Sequence, residues 1–344
     1  MPPISEVPNS ESVAITSSLP SVDDWRDPVV RPRSSPVLER LFRRRTGLVP
    51  AVVPYLAPHP WAYRPFLFLM NPTFQALDER LSSQICFVVA RDNACRFCYG
   101  RFRSFLRVAG YSAAELNRLE NELHLRGASR ADEVALRFAV ELSQGRLDRG
   151  TTLADLREVG HGPTAIREIG GVAATATLIN RMATMLSIPI NEDVETLTQE
   201  WFFAFVRPFV RALLKGWQSV GAPAASPLGE PDGAGPFTPW TGRLQTTRVG
   251  AILDDVLQQW SRGEGALSLR LRLFILAVVA RGLHCDALEA RATDLLRERC
   301  GESADRIAAV VDHLRGDIVT DRETALLELA RDSIRYEAGR IQAR

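Results

Sequence analysis

The sequence predicts an all-α protein, and three observations support this prediction. Apolar residues recur at helical spacing through most of the chain, as at Leu77, Leu81 and Ile85, which is typical of a helix with one buried face. Capping signals precede several of these runs, and Ser112 with Glu115 forms the pattern of a capping box. Alternating apolar and polar residues with hairpin turns, which would indicate strands, are missing.

The composition predicts a chain of four parts. With 344 residues, 46% of them hydrophobic, the chain can form two domains or one domain built twice. Its Ser- and Pro-rich start is typical of disorder, and the Pro- and Gly-rich stretch 219–240 predicts a linker. We therefore predict a disordered arm at 1–35, a helical domain at 36–195, a helix with a linker at 196–245, and a second helical repeat at 246–344.

The charges and apolar runs exclude several functions. A net charge of +1 does not favour a nucleic-acid partner. A phosphate-binding loop and Schiff-base chemistry both need a lysine. The only lysine, Lys215, lies in no motif of either kind, so we exclude both classes. No run reaches the ~18 apolar residues of a transmembrane segment, and Arg207 and Arg211 interrupt the Phe-rich stretch 201–217, which we interpret as a packed amphipathic helix. Five cysteines without an export signal predict a reducing, cytoplasmic location.

Two stretches of the chain resemble each other. The sequence Val-Val-Ala-Arg at 88–91 precedes Cys95, and the same four residues at 278–281 precede Cys285 at the same spacing. Downstream, 132–136 resembles 322–326 in a similar register. Two matches at a shared offset predict an internal duplication, in which one helical unit buries its apolar face against a copy of itself.

The most specific chemical motif is Cys95-Arg96-Phe97-Cys98. We expect Asp92 or Asn93 to cap a helix from Ala94 to Ala109, so that both thiols lie in its first turn. The positive end of the helix dipole would then favour a thiolate. Residues three apart in a helix have β-carbons about 5–6 Å apart, so a disulfide would distort that turn and would be easily reduced.

Two other interpretations of this motif stay open. The cysteines can be small apolar residues on a buried stripe with Phe102 and Phe105. A structural zinc site would need two further ligands, and Cys86, His284 and Cys285 lack a second motif of suitable spacing. We predict no metal and no bound organic cofactor.

The run 85–110, ICFVVARDNACRFCYGRFRSFLRVAG, resembles the core of the AhpD-like branch of the carboxymuconolactone decarboxylase superfamily. Further stretches are also similar to that family. Its next helix start resembles residues 111–115, and its domain end resembles residues 180–182 and 188–189. The resemblance covers about 45–192 and returns more weakly at about 265–344. It implies a helical fold, a homo-oligomer and a thiol-dependent peroxide or disulfide reductase.

In that family the second cysteine attacks the oxidant, which implies that Cys98 is the nucleophile and Cys95 resolves the product. A partner protein dithiol would supply electrons, and the substrate would be a peroxide or another small molecule. Two family positions depart from the pattern. Ser83, with Gln84 beside it, replaces a glutamate, and Phe102 replaces a histidine, so the proton relay of the family lacks both of its usual groups.

Several residues are candidate modulators of the thiols. Tyr99 and Arg101 follow Cys98 within three residues, and Ser83 and Gln84 lie at the position of the family's glutamate. His161 belongs to a loop that can line the thiol pocket. The second repeat keeps only Cys285, because Leu288 takes the place of the second cysteine. Two alternative functions remain: a non-redox decarboxylase or lactone-processing member of the superfamily, and an assembly protein that has lost its catalytic activity.

Overall fold

The computed structural model describes most of the chain between residues 19 and 334. Apart from isolated positions, the residues not described are 1–18, 47–48, 58–59, 124–127, 146–150, 213–236, 238–245, 263–266 and 335–344. The described residues form helices, turns and loops and contain no strand, which confirms the prediction of an all-α protein.

The helices fall into a longer N-terminal and a shorter C-terminal group. The first group comprises α1 (Pro36–Thr46), α2 (Val53–Leu56), α3 (Pro60–Met70), α4 (Glu79–Asp92), α5 (Arg96–Ala109), α6 (Ala113–Glu122), α7 (Arg130–Ser143), α8 (Leu153–Glu158), α9 (Pro163–Met185) and α10 (Glu192–Gln199). The second comprises α11 (Arg248–Arg262), α12 (Leu269–Gly282), α13 (Asp286–Cys300), α14 (Ala304–His313) and α15 (Asp321–Asp332).

Polar side chains begin most of these helices, as the sequence indicates. Ser112 and Glu115 form the predicted capping box of α6, and Thr152 with Asp155 forms a second one at α8. Each box satisfies backbone N–H groups that have no partner inside the helix. Helix α5 is an exception, because its first residue follows a cysteine.

Helix α9 lies at the centre of the N-terminal group and packs against α3, α4, α5, α7 and α11. Its buried face is made of small and branched residues, including Ala173, Ala176 and Ile179, which allow neighbouring helices to approach closely. Phe87 of α4 and Leu106 of α5 complete the same buried cluster. The core therefore includes α4, which precedes the cysteine motif, and α5, which begins within it.

A buried carboxylate fixes the loop that precedes α4. Glu168 of α9 accepts hydrogen bonds from the backbone N–H groups of Gln75, Ala76 and Leu77, at 2.8, 2.9 and 2.9 Å. Hydrogen bonds to a charged acceptor are stronger than those between neutral groups. Glu168 thus sets the position at which α4 starts relative to α9.

We expect Glu168→Gln to lower the free energy of unfolding by about 1–2 kcal/mol, because the amide nitrogen of glutamine faces N–H groups that need an acceptor. Chemical denaturation monitored by circular dichroism measures this change. Glu158→Gln, on the exposed end of α8, is the matched control and should change stability by less than about 0.5 kcal/mol. Equal stability of the two variants would contradict the anchoring role of Glu168.

Part of the predicted disordered arm is ordered. Trp25 is 9% exposed and belongs to the main core cluster. Its indole N–H donates to the carbonyl oxygen of Ile188 at 2.9 Å, and the N–H of Val29 donates to the carbonyl oxygen of Leu186 at 3.1 Å. The prediction of disorder is therefore wrong for the described residues from 19 to 35, because a buried indole holds them on the core. Residues 1–18 lie outside the described part.

The predicted boundaries around the linker also need correction. Helix α10 spans the boundary placed after residue 195. Helix α11 lies in the predicted second repeat, yet it packs on α3 and α9 of the first group, where Val249 and Ile252 contact Phe68. An ion pair between Arg64 and Asp255 joins the same helices. The first core thus includes a helix that follows the linker.

The Phe-rich stretch is only partly packed. Among its described residues, Phe203 is buried, whereas Phe205 and Phe209 are 78% and 74% exposed. The prediction of a packed helix is therefore wrong for these two rings, because most of their surface is exposed. Among the described residues, no helix is both long and apolar enough to span a bilayer.

The turn between α4 and α5 recurs between α12 and α13. Ala94 and His284 both adopt a left-handed backbone conformation, with φ of 46° and 53°. The N–H of Cys95 donates to the carbonyl oxygen of Ala90 at 3.0 Å, and the N–H of Cys285 donates to that of Ala280 at 2.9 Å. The repeated sequence therefore builds the same turn twice.

The later match between the two halves is shifted by one residue. Ser129 caps α7 and accepts from the N–H of Asp132, whereas Thr320 caps α15 and accepts from the N–H of Glu323. Asp132 and Glu323 also form the corresponding ion pairs, with Arg80 at 2.9 Å and with Arg270 at 3.2 Å. Relative to the repeated cysteine turn, the cap of α15 therefore lies one residue later than the cap of α7.

Candidate functional site

Cys95 is the residue that caps α5. Helix α4 continues through Asp92, and Asn93 and Ala94 form the turn. Cys95 has an extended backbone, with φ −82° and ψ 94°, and precedes the first helical residue. The prediction that Asp92 or Asn93 caps this helix is therefore wrong. Because Cys95 lies outside the helix, a disulfide to Cys98 does not have to bridge two residues within one helical turn.

The surroundings of Cys95 favour its thiolate form. Burial alone raises the pKa of this thiol, but the thiol and N–H of Cys98, the hydroxyl of Thr184 and the N–H of Phe97 act as donors towards the sulfur. Together they bring the pKa of Cys95 below its ordinary value. The Cys95 side chain makes no capping hydrogen bond as a neutral thiol. These donors therefore stabilise the thiolate, as expected for a sulfur at a helix N-terminus.

Cys98 has the opposite tendency. Burial raises the pKa of its thiol, and the interaction with Cys95 raises it further, while the positive charge of Arg101 opposes the shift. Cys86 lies within electrostatic reach of Cys98, and burial raises the pKa of this third thiol as well. The order of reactivity that this electrostatic asymmetry favours, with Cys95 as nucleophile, is the reverse of the order that the family resemblance implies.

Both thiols are enclosed. Cys95 and Cys98 are 0% and 1% exposed and are not joined in a disulfide. A partner protein dithiol can reduce the pair only where it can reach the sulfur atoms, and this burial does not allow that at the surface. Cys95 contacts the C-terminal end of α9 through Thr184, and the N-terminal arm attaches to the next residues of the chain, Leu186 and Ile188. A larger reactant therefore requires local opening of the structure.

Helix α10 is joined to α5 by an ion pair and a hydrogen bond. Arg96, inside the cysteine motif, forms an ion pair of 2.7 Å with Glu195, and both side chains are largely buried. Thr198 of α10 donates to the hydroxyl of Ser104 at 3.2 Å. A β-carbon at Gly100 would collide with the Glu195 carboxylate and lie 2.9 Å from Nη1 of Arg96, so a larger residue at this position would force the two paired side chains to shift.

Tyr99 belongs to a polar cluster beside the thiols. Its hydroxyl donates to Glu120 at 3.0 Å, and Arg103 donates to the same hydroxyl. Arg91 also donates to Glu120, at 2.5 Å. Burial and Glu120, opposed by Arg103, raise the pKa of Tyr99 to about 12, so this phenol neither accepts nor releases a proton readily at neutral pH. We therefore assign Tyr99 a structural role.

Arg101 is closer to the reactive groups. It lies one helical turn after Cys98, and its guanidinium stacks over the ring of Phe105 at 5.1 Å. Burial lowers the pKa of Arg101 to about 10, and Cys98 partly opposes this shift. The side chain remains a cation at neutral pH and contributes positive potential at the thiol pair.

The other predicted modulators lie elsewhere. Gln84 donates to the hydroxyl of Tyr111 at 2.9 Å, beyond the far end of α5, and Ser83 precedes it on α4, about 13 Å along the helix axis from Asp92. His161 contacts the carbonyl oxygen of Ala131 at the start of α9. The thiols lie at the opposite end of α9, about 33 Å away along its axis. The structure therefore contradicts a role for His161 in the thiol pocket.

Thr184, which interacts with Cys95, and Asn180, one helical turn before it, escaped prediction from the sequence. Thr184 and Asn180 lie one turn apart on α9, far from the cysteine motif in sequence. Both are completely buried. The only sequence signal was the family-like run at 180–182, which indicates a domain end and carries no chemistry. Side chains that approach from another helix give no local spacing pattern.

The thiol of the second half is in a different environment. Cys285 is exposed, and Leu288 is partly buried in the position of a second cysteine. Among the described residues, no group of three or more His, Cys, Asp or Glu side chains is arranged to hold a metal ion. Among the described residues, a pair of cysteines three positions apart therefore occurs only in the first half.

The chain matches no protein-family model, and no curated protein or solved structure is significantly similar to it. The geometry of the thiol pair is consequently the main basis for a functional hypothesis.

Proposed function

We propose that this protein is a thiol-dependent oxidoreductase in which Cys95 and Cys98 reduce a small oxidant. The observation that carries the proposal is the position of Cys95 at the N-terminus of α5, where a neighbouring thiol, a hydroxyl and two backbone N–H groups stabilise its thiolate. Purely apolar packing of two cysteines does not require donors around one sulfur. An asymmetric pair supplies one nucleophile and one proton donor.

With a peroxide as oxidant, the Cys95 thiolate attacks one peroxide oxygen. A sulfur–oxygen bond forms, the oxygen–oxygen bond breaks, and the second oxygen leaves as hydroxide or alkoxide, which takes up a proton. The Cys98 thiol then attacks the sulfenic acid, so that a disulfide forms and water leaves. An external dithiol reduces this disulfide by exchange and is itself oxidised. The enclosed site favours oxidants of a few atoms for the first step.

We further propose that the two halves are copies of one unit and that the unit is AhpD-like. The repeated turn, the repeated cap and the repeated ion pair support the duplication. The resemblance of residues 85–110 supports the family. In this proposal the second half, with the single exposed Cys285, is structural, and the oxidised thiol pair exchanges with its dithiol donor only after local opening near α10 or the N-terminal arm.

A titration of the protein against glutathione buffers, with mass-tagged alkylation after denaturation, tests the proposal. We expect one reversible disulfide, assigned by peptide mapping to Cys95 and Cys98, with a midpoint within about −200 to −300 mV. Cys86→Ser is the matched control, because it removes a buried thiol of the same core and leaves the pair intact.

Absence of this disulfide at every potential would contradict the proposal and favour an assembly protein with two core cysteines. A decarboxylase or lactone-processing activity that survives replacement of both cysteines would favour the non-redox alternative. A disulfide that involves Cys285 or Cys300 would place the redox chemistry elsewhere.

A further inference from the structure

Asn180 carries a completely buried side-chain amide that has no hydrogen-bond partner among the described residues. It is 0% exposed, and neither its Nδ2 nor its Oδ1 atom has a hydrogen-bond partner among the described residues. Buried amides in folded proteins are normally paired, because an unpaired donor or acceptor loses its hydration without compensation. An orphan of this kind points to a small polar molecule that occupies the same space.

The position of Asn180 connects it to the thiols. Thr184 follows one turn later on α9, and side chains at this spacing lie on one face with β-carbons about 5–6 Å apart. The Thr184 hydroxyl donates to the backbone carbonyl oxygen of Asn180 at 2.9 Å and also acts as a donor towards the sulfur of Cys95. The hydroxyl has one proton, so it bonds to the carbonyl oxygen or to the sulfur at a given moment.

The polar groups at this place match the chemistry of a hydroperoxide. Its O–H group needs an acceptor, which Oδ1 of Asn180 provides, and its oxygens need donors, which Nδ2 provides. The amide does not titrate, so it holds such a molecule without competing for the proton of Cys98. A negative charge develops on the leaving oxygen during attack, and an N–H donor in a dry site stabilises it strongly.

We propose that Asn180 and Thr184 form the oxidant subsite of the thiol pair and that its ligand is hydrogen peroxide or a small hydroperoxide. This inference rests on the proposed function and adds two positioning residues and a place for the peroxide in the fold. Asn180 orients the peroxide so that one oxygen faces the Cys95 sulfur, and its N–H group stabilises the departing oxygen. Thr184 keeps the sulfur in place until attack.

The test compares two reactions of the reduced protein. Oxidation by hydrogen peroxide depends on the subsite, whereas methanethiosulfonate reacts with any accessible thiolate. We expect Asn180→Leu, which preserves size but removes both polar atoms, to slow disulfide formation by peroxide about tenfold or more, as for the loss of one to two hydrogen bonds. The rate with methyl methanethiosulfonate should change less than about twofold.

Thr175→Val is the matched control. Thr175 is also fully buried on α9 and bonds only to the helix backbone, at Gly171, so its removal should leave both rates unchanged. Equal slowing of both reactions in Asn180→Leu would overturn the inference, because access or thiolate content would then be the cause. An unchanged peroxide rate would also overturn it and indicate a resident water. A wild-type protein that forms its disulfide with glutathione but not with peroxide would also overturn the inference, whereas one that forms no disulfide with either oxidant would instead overturn the proposed function.

Discussion

We expect hydrogen peroxide to convert Cys95 of the Cys98→Ser variant to a sulfenic acid that dimedone traps, whereas Cys98 in the Cys95→Ser variant, whose pKa burial still raises, reacts markedly more slowly. This is the expected result because the two thiols have pKa shifts of opposite sign, and each pKa unit changes the thiolate fraction tenfold at a pH below the pKa. Serine at position 98 keeps a donor towards the Cys95 sulfur. Intact-mass measurement with dimedone labelling over time gives both rate constants.

The pH dependence of this reaction provides a second measurement. The pKa of Cys95 is lowered, so its reactivity should stay constant as pH falls from the alkaline range and decline tenfold per pH unit only below the lowered pKa. Cys98→Ala removes the neighbouring donor, and the pKa of Cys95 should therefore rise and move the decline to higher pH. A decline at the same pH in the Ser and Ala variants would show that Cys98 does not stabilise the thiolate.

The opposite order of reactivity would be equally informative. If dimedone labels Cys98 in the Cys95→Ser variant and leaves Cys95 unlabelled in the other, the assignment implied by the AhpD-like resemblance is correct. The asymmetry at the start of α5 would then favour Cys95 as leaving group in the reduction of the disulfide. Both orders keep the same pair of residues and differ only in which sulfur meets the oxidant.

Local signals in the sequence predicted the helices well. Helical periodicity and Ser or Thr caps are properties of consecutive residues, and the capping box of Ser112 and Glu115 located the start of α6 correctly. The turn before Cys95 was misassigned, because Asp92 and Asn93 are good capping residues by type. In the structure α4 extends through Asp92, whose carboxylate accepts hydrogen bonds from Ser143 and Gln144 of α7, at 2.7 and 2.6 Å.

Contacts between segments that are distant in the chain could not be predicted from the sequence. Trp25 is buried because a carbonyl group at Ile188 and an apolar site lie beside it, and nothing near Trp25 in the chain indicates either. The same holds for Thr184, which meets Cys95 only when α9 packs on α5. The burial of the two thiols follows from these tertiary contacts, whereas their identity as a pair was evident from spacing alone.

Helices α9 and α11 pack closely where Gly171 faces Val249. We expect Gly171→Ala to lower the free energy of unfolding by about 2–3 kcal/mol. A β-carbon at Gly171 would lie 2.5 Å from Cγ1 and 3.1 Å from Cγ2 of Val249. Val249 is buried and branched at its β-carbon, so it cannot move its methyl groups aside, and the helices must separate. Thermal and urea denaturation measure the loss.

Gly170→Ala is the matched control, because a β-carbon there would lie 4.0 Å from the side chains of Leu142 and Phe138. Alanine favours a helix over glycine by about 1 kcal/mol, so this variant should be as stable as the wild type or slightly more stable. In a double-mutant cycle, Val249→Ala should recover about 1–3 kcal/mol of the loss in Gly171→Ala, because it removes both methyl groups that collide. Strictly additive effects would mean that α11 does not rest on α9 at this point, and the assignment of α11 to the first core would then fail.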